Sequence, residues 1–457
     1  MHWVNFLHLY QPHNQKPYWV KKIANESYRK LIKGLLANRQ AKAVININAC
    51  LVELFQKNGC QDIINGLRTL ARRDQIEFTD SAKFHAFLPL LPEKEIIRQI
   101  KLNHQTNKKY FGSVYKPQGF FPPEMGYNQK VAKICHILGY KWLIIDELAL
   151  EGKIGNLNYQ TIYQIKSADN LSVFFRQREI SFRILSAQVY ASHMIVDLFK
   201  SKNKPDEFVI TAMDGETFGH HRPGLDELLF EVYQSKEIQT HKMSELFELF
   251  PKRQTVEPIA SSWALMKRDL EQKTPYSRWH DKNNDIHRWQ WQLTNLSIKE
   301  TYKLSPKNPS YQKIRTALDK SLHSDQYWWA SAMPWWSLEL IEKGAKEFVD
   351  VILKNPVSAK KSKILAEELY KKIVFTGFAW QKSGKVEELA KISDEDVTQR
   401  ISKEMPYIPL AEFNRIVSNL RAQMLAAANN LEYERAAQIR NRIKELEEKK
   451  DQLTKKH

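Results

Sequence analysis

The 457-residue sequence is poor in the features that most directly reveal a class. Its three cysteines, Cys50, Cys60 and Cys135, form no CxxC pair and no metal spacing. A disulfide scaffold is excluded, and idle thiols in a reducing compartment are expected. No apolar run approaches the roughly 18 residues of a membrane span. The opening MHWVNFLHLYQPH has no basic n-region, no long apolar stretch and no small-residue cleavage site, so it reads as a folded strand. These absences point to the cytoplasm. There is also no arginine-rich tract and no zinc-finger or helix-turn-helix signature. The net charge is +18, but it is spread along the chain, and residues 411–457 hold 10 Lys+Arg against 7 Asp+Glu. A solvated basic surface explains this better than nucleic-acid binding, which would show as a steep salt dependence.

What is present is an ordinary globular composition, 42% hydrophobic and 27% charged, on a chain long enough for a barrel plus something smaller. Short apolar runs alternate with helical patterns. His2–Leu9, Ala43–Ile47 (AVINI), Ile76–Thr79, Gly119–Phe121, Lys141–Ile145 (KWLII), Ser172–Arg176, Ser181–Leu185 and Phe208–Met213 (FVITAM) are strand candidates. Helical stretches fall near Tyr28–Asn38, Leu51–Lys57, Asp62–Arg73, Glu93–Tyr110 and Gln129–Leu138. This alternation predicts an α/β fold with a parallel sheet, and about seven strands before residue 265 favour a closed or nearly closed barrel. After about residue 270 long helical patterns take over, at 285–304, 311–323, 335–354 and 358–373. Residues 383–410 read as a charged, Pro-containing linker. From Phe413 two helical stretches joined at Asn429-Asn430 carry Ile416, Leu420 and Met424, then Ala436, Ile439, Ile443 and Leu446, the pattern of a helical hairpin. The expected domains are a barrel at 1–270, a helical domain at 271–382, the linker, and a hairpin at 411–457.

In a parallel α/β fold the loops after strand C-termini form the active face. Four such ends carry polar groups: His8, Gln11 and Pro12; Asp80 and His85; Glu124; and Asp214, Glu216, His220 and His221. Two carboxyls from separate strand ends are the minimum apparatus of glycoside cleavage, one attacking or activating water, the other protonating the leaving oxygen. Glu124 lies in Pro122-Pro123-Glu124-Met125-Gly126, where the prolines fix the approach and Gly126 is expected to permit a tight turn. A surface glutamate on a Pro-rich turn would look the same. Asp214 and Glu216 end a buried β run, and helix N-capping is their alternative reading. The aromatic clusters around Trp328-Trp329 and Trp335-Trp336 are sugar-stacking candidates or helical core. Trp279, Trp289 and Trp291 are expected to pack.

Taken together, HLYQP, IEFTDSAKFHAFLPLLP, GFFPPEMGY, MDGETFGHH and SDQYWWAS resemble, in order, the five regions of glycoside hydrolase family 57. The resemblance implies a (β/α)7-type barrel of parallel strands followed by an all-α domain that completes the cleft. It implies retaining chemistry on α-glucans, of amylase or 4-α-glucanotransferase type, with no cofactor and no metal. By motif position Glu124 would be the nucleophile and Asp214 the general acid/base. His8, Gln11, His85, Trp263, Asp325 and Trp328 would line the sugar subsites, and Glu216 and His220 would support Asp214 by hydrogen bonding. Tyr10 stands where the first motif usually has its second histidine, and Phe121-Pro122-Pro123 lacks the tryptophan often found before the glutamate. The C-terminal NRIVSNLRAQMLAAANNLEYERAAQIRNRIKELEEKK resembles a UVR domain, which implies a protein partner or self-association through the hairpin.

Two other classes fit some of these residues. A metal-dependent carbohydrate deacetylase could use His8, His13, Asp214, His220 and His221 as ligands, although no paired-Asp signature with an HxxxH motif is present. A non-catalytic carbohydrate-binding or regulatory protein would bind glucan without turning it over. Its output would be the hairpin.

Overall fold

A computed structural model describes residues 1–189, 192–333, 335–391, 410–429, 433–448 and 450–454. Ten strands are formed among them: β1 (His2–Leu9), β2 (Ala43–Ile47), β3 (Ile76–Asp80), β4 (Gly119–Phe120), β5 (Trp142–Asp146), β6 (Ile162–Ile165), β7 (Leu171–Arg176), β8 (Phe208–Asp214), β9 (Gln239–Thr240) and β10 (Arg253–Val256). Seven of them run side by side and parallel in the order β8-β1-β2-β3-β4-β5-β7. These strands are almost continuously buried, because helices cover the outer face and side chains fill the inner one.

The result is an incompletely closed (β/α)7-type barrel. At the active end a backbone hydrogen bond from Gln177 N to Ile210 O (2.7 Å) draws β7 toward β8. Toward the other end β6 takes the free edge of β7 in antiparallel register, and β10 extends it. The stretch Ser181–Leu185 is not a strand. Arg178–Leu185 is a helix, started by the Gln177 side chain accepting from Ile180 N (2.6 Å) and anchored by buried Arg178 on Asp146. Three short strands, β6, β9 and β10, lie outside the sequence expectation. β9 and β10 are largely solvent-facing and carry little apolar signal.

Helices Asp285–Tyr302, Tyr311–Ser321, Asp325–Ala330, Leu338–Lys354 and Lys360–Ser383 pack on one another and share a core with the barrel, centred on Trp279, Trp291, Tyr327 and Phe348. Residues 385–391 are also helical, so the expected linker begins later than 383, and its remainder lies outside the described residues. Leu410–Asn429 and Tyr433–Glu448 form the hairpin, followed by the short Lys450–Thr454. Leu420, Ile439, Ile443 and Leu446 are buried together with Phe413, Val417 and Ala427, and Met424, Ala436 and Met194 pack at the edge. The side chain of Ile416 and residue Asn430 lie outside the described set. No helix among the described residues is long and apolar enough to cross a membrane.

Candidate active site

The C-terminal ends of β1, β2, β3, β4 and β8 converge with the segment 323–325 of the helical domain. Pro122 and Pro123 bring the chain off β4, and Glu124 then adopts a left-handed conformation (φ 62°), as does Met125 (φ 48°). Each such non-glycine residue costs about 1–3 kcal/mol, which surrounding contacts must offset. Gly126 does not supply the positive φ. It is needed for close approach, since a Cβ there would lie 2.9 Å from the Phe87 ring and 3.1 Å from Pro123 O.

Trp263 holds Glu124 at two points. Its backbone N donates to Glu124 O (2.9 Å), and its indole Nε1 donates to Oε2 (2.7 Å). Glu124 Oε1 lies 3.1 Å from Ser324 Oγ and 3.6 Å from His85 Nδ1. Burial, then the charges of Asp325 and Asp214, push the Glu124 carboxyl up to about 8, against the pull of Trp263 and Ser324.

Asp214 ends β8 opposite His8 of β1. It occupies the N-cap position of a single 3₁₀ turn, Gly215–Thr217, yet makes no capping hydrogen bond, so the capping reading is not realised. Burial, then the charge of Glu216, push its carboxyl up to about 7, and Arg176 offsets this in part. Glu216 and His220 do not hydrogen-bond to Asp214 as expected. Gln11 Nε2 (2.5 Å) and the Tyr28 hydroxyl donate to Glu216 Oε1, while His220 Nδ1 pairs with Glu26 Oε2 at 2.6 Å. Gly219 (φ 103°) lets the turn pass so close to Glu26 O that a Cβ would sit 2.1 Å from it, which directs His220 to Glu26.

Asp325 behaves oppositely. Burial disfavours its charge, but His323, His85 and the Tyr10 hydroxyl outweigh that and hold it down to about 2. His323 Nδ1 is 3.0 Å away, and Tyr10 OH donates at 2.5 Å. Tyr10 also stacks on His85 with ring centroids 4.0 Å apart. Thus Asp325 keeps its charge, while Glu124, Asp214 and, mainly through burial, Glu216 are made reluctant to hold theirs, the pattern expected where acid and base roles are divided.

His8, Gln11, His85, Glu124, Trp263, Asp214, Glu216 and Asp325 are therefore brought together. His220 stands one layer out. Trp328 is half-buried and packs on Trp279 (ring centroids 5.4 Å), and Trp336 stacks on Trp380, so both contribute to helical packing. Ser324, Asn46, Tyr28 and Arg176 are the contributors that sequence reasoning missed. Asn46, a polar residue inside AVINI, is the one that left a visible signal. Among the described residues no group of three or more His, Cys, Asp or Glu is arranged to hold a metal ion. His8 is committed to Asn46 and His85, and His220 to Glu26, which disperses the ligand set of the deacetylase alternative.

The family model described as Glycosyl hydrolase family 57 matches residues 4–259, and the UvrB/uvrC motif matches residues 414–449. A putative alpha-amylase of Methanocaldococcus jannaschii is 25% identical over 340 residues, 66% of this chain and 70% of that protein. An alpha-amylase of Pyrococcus horikoshii is 24% identical over 59% of this chain, a match that spans only 45% of the relative's length. In fold, the chain resembles the crystal structure of a branching enzyme from Thermococcus kodakaraensis, with a TM-score of 0.63 at 17% identity, covering 82% of this chain and 96% of that one. With its C-terminal UvrB/uvrC motif, the chain belongs to glycosyl hydrolase family 57.

Proposed function

We propose that the protein is a retaining glycoside hydrolase or transglycosylase acting on α-glucans, with residues 1–270 as the catalytic barrel and 271–382 as the helical domain that completes the cleft. The observation that carries this reading is the pair Glu124 and Asp214, two half-buried carboxyls on separate strand ends, each pushed far above the usual range and close enough for the charge of Asp214 to raise Glu124. In a double displacement Glu124, held by Trp263, attacks the anomeric carbon. Asp214 protonates the departing oxygen and then takes a proton from the incoming water or sugar hydroxyl. The permanent negative charge of Asp325 opposes positive charge developing on the sugar ring, which favours an oxocarbenium-like transition state. Tyr10, Gln11 and His85 supply polar and aromatic contacts suited to sugar hydroxyls and ring faces. The relatives named as an alpha-amylase and a branching enzyme are consistent with this substrate class.

Maltoheptaose incubated with the purified chain tests the reading. Shorter products alone identify hydrolysis, and shorter plus longer products identify transfer. Both are to be abolished by Glu124→Gln and by Asp214→Asn. Glucan binding with no product, in the wild-type chain, would sink the proposal and favour a binding protein.

A further inference from the structure

The resting charge state of the site differs from the one that attack requires. Glu124 must be ionised to attack, yet its surroundings favour the neutral acid. The hydrogen-bond chain behind it shows how the two states are linked.

The direction of that chain is set at its far end. Asn46 Nδ2 faces Thr79 Oγ1 (2.9 Å), Asp80 O (3.4 Å) and Thr79 O (3.5 Å). The two carbonyls can only accept, which fixes the amide and leaves Asn46 Oδ1 as an acceptor toward His8 Nδ1 (2.7 Å). His8 Nδ1 therefore carries the proton. His8 is neutral, since burial pushes it down to about 4, and its Nε2 must accept. The donor there is His85 Nε2–H, at 3.0 Å. A neutral His85 then has a bare Nδ1, whose neighbour is Ser324 Oγ at 2.9 Å. Ser324 has one hydroxyl proton. If it is given to His85, the 3.1 Å contact with Glu124 Oε1 can exist only with the carboxyl as donor. With His8 and His85 both neutral, the Ser324 proton goes to His85 Nδ1 and the carboxyl that meets Ser324 Oγ is the donor, a neutral Glu124.

Resting on the proposed function, we infer that Ser324 is a positioning residue that couples the charge of Glu124 to the state of His85. Its hydroxyl points at His85 while Glu124 is a neutral acid and turns to Glu124 when that carboxyl ionises. Within the closed site the exchange balances without any other reactant. The Glu124 proton passes from Oε1 to Ser324 Oγ, and the Ser324 proton passes to His85 Nδ1. The products are a Glu124 carboxylate and a His85 imidazolium 3.6 Å apart. The groups facing His85 are His8, Tyr10, Ser324, Glu124 and, through their charges, Asp325 and His323. Burial first, then the charges of His8 and His323, hold the His85 imidazole well below its usual range and oppose the imidazolium, and Asp325 offsets this only in part.

The test has two arms. The first uses substrate-free full-length protein with ring-labelled histidine, and His85→Gln assigns the resonance. In wild type the His85 Nδ1 signal is expected to change through the same pH transition as Glu124. The change is to vanish in Glu124→Gln, be lost in Ser324→Ala and return in Ser324→Thr. A His85 signal that ignores both Glu124→Gln and Ser324→Ala would overturn the coupling. The second arm follows kcat/KM on maltoheptaose against pH. Ser324→Ala removes a hydrogen bond from the ionised carboxyl and raises Glu124 further above Asp214, so the basic limb moves to higher pH by about one unit, while Ser324→Thr stays near wild type. Lower amplitude with an unmoved limb would mean a merely structural serine and would also overturn it. Wild-type inactivity on maltoheptaose would instead count against the proposed function, with the histidine arm still deciding the coupling.

Discussion

Arg315 is the cation on which the junction between barrel and helical domain should turn. It lies on the helix Tyr311–Ser321, is almost fully buried, and donates from Nη1 to Glu95 Oε1 (2.9 Å) and from Nη2 to Glu95 Oε2. It also reaches Asp319 Oδ1 through Nε (3.2 Å) and Nη2 (2.9 Å). Glu95 is 1% exposed and sits on the barrel helix Glu93–Phe111. Arg315→Met removes the cation but leaves Asp319 with Arg98 at 2.7 Å. Glu95 is stranded, and an uncompensated buried charge costs about 3–5 kcal/mol. Replacing the carboxylate as well, in Arg315→Met with Glu95→Leu, removes the charge along with its partner and should recover more than half of that loss. Urea unfolding of wild type and both variants at pH 7 provides the comparison. Because the same helix leads directly into Ser324 and Asp325, kcat/KM on maltoheptaose should fall in the single variant and partly return in the double. A single-variant cost below about 1 kcal/mol, or a double variant no more stable than the single, would refute the reasoning.

Trp263→Phe removes the 2.7 Å bond to Glu124 Oε2 and should lower kcat/KM at pH 7 about 10- to 100-fold while moving the basic limb upward. An unchanged limb in the pH profile would contradict this. Glu124 is raised from 4.5 to about 8, so between those values the folded protein holds a proton that the unfolded chain has lost, and stability declines as pH rises. Glu124→Gln removes that decline. Its melting temperature should exceed wild type by an increment that grows from about pH 4.5 to pH 8 and is absent below it, and an increment independent of pH would exclude the raised carboxyl. Gly219→Ala places a Cβ against Glu26 O at positive φ and should destabilise by about 1–3 kcal/mol, readable as a lowered thermal midpoint.

The barrel was legible in the sequence because its strands are buried on both faces. Runs such as AVINI and FVITAM carry the signal without any context, and the acids that end them stand out. Glu124 and Asp214 were legible as strand-end carboxyls, but their partners were not. Ser324 contributes one hydroxyl from a segment 200 residues away from Glu124, and no local pattern encodes that meeting. Ser181–Leu185 misled because its alternating apolar residues fit a strand as well as a short helix. The side chains of Gln177 and Arg178 decide it, through contacts made only in the folded chain. Gly126 misled in another way, since its small size serves the Phe87 ring and not a left-handed turn. The tryptophan clusters could be read as sugar platform or as packing, and ring contacts such as Trp328 on Trp279 appear only in three dimensions.

The pairing of β1 with β8 bears on how the protein is made. Trp3 donates its indole proton to Thr211, 208 residues later, and His8 lies in register with Asp214. During synthesis β2 can claim one edge of β1 early, but the other edge has no strand to meet until residue 214 has left the ribosome. At about 5–20 residues per second that interval is roughly 10–40 s. For that time the first strand presents an open edge, which is a template for wrong pairing. The short β9, which also pairs with the start of β1, emerges later still. Recombinant yield should therefore respond to translation speed through the first half of the message, and a chaperone that shields strand edges should matter more here than in a protein whose neighbouring strands are consecutive.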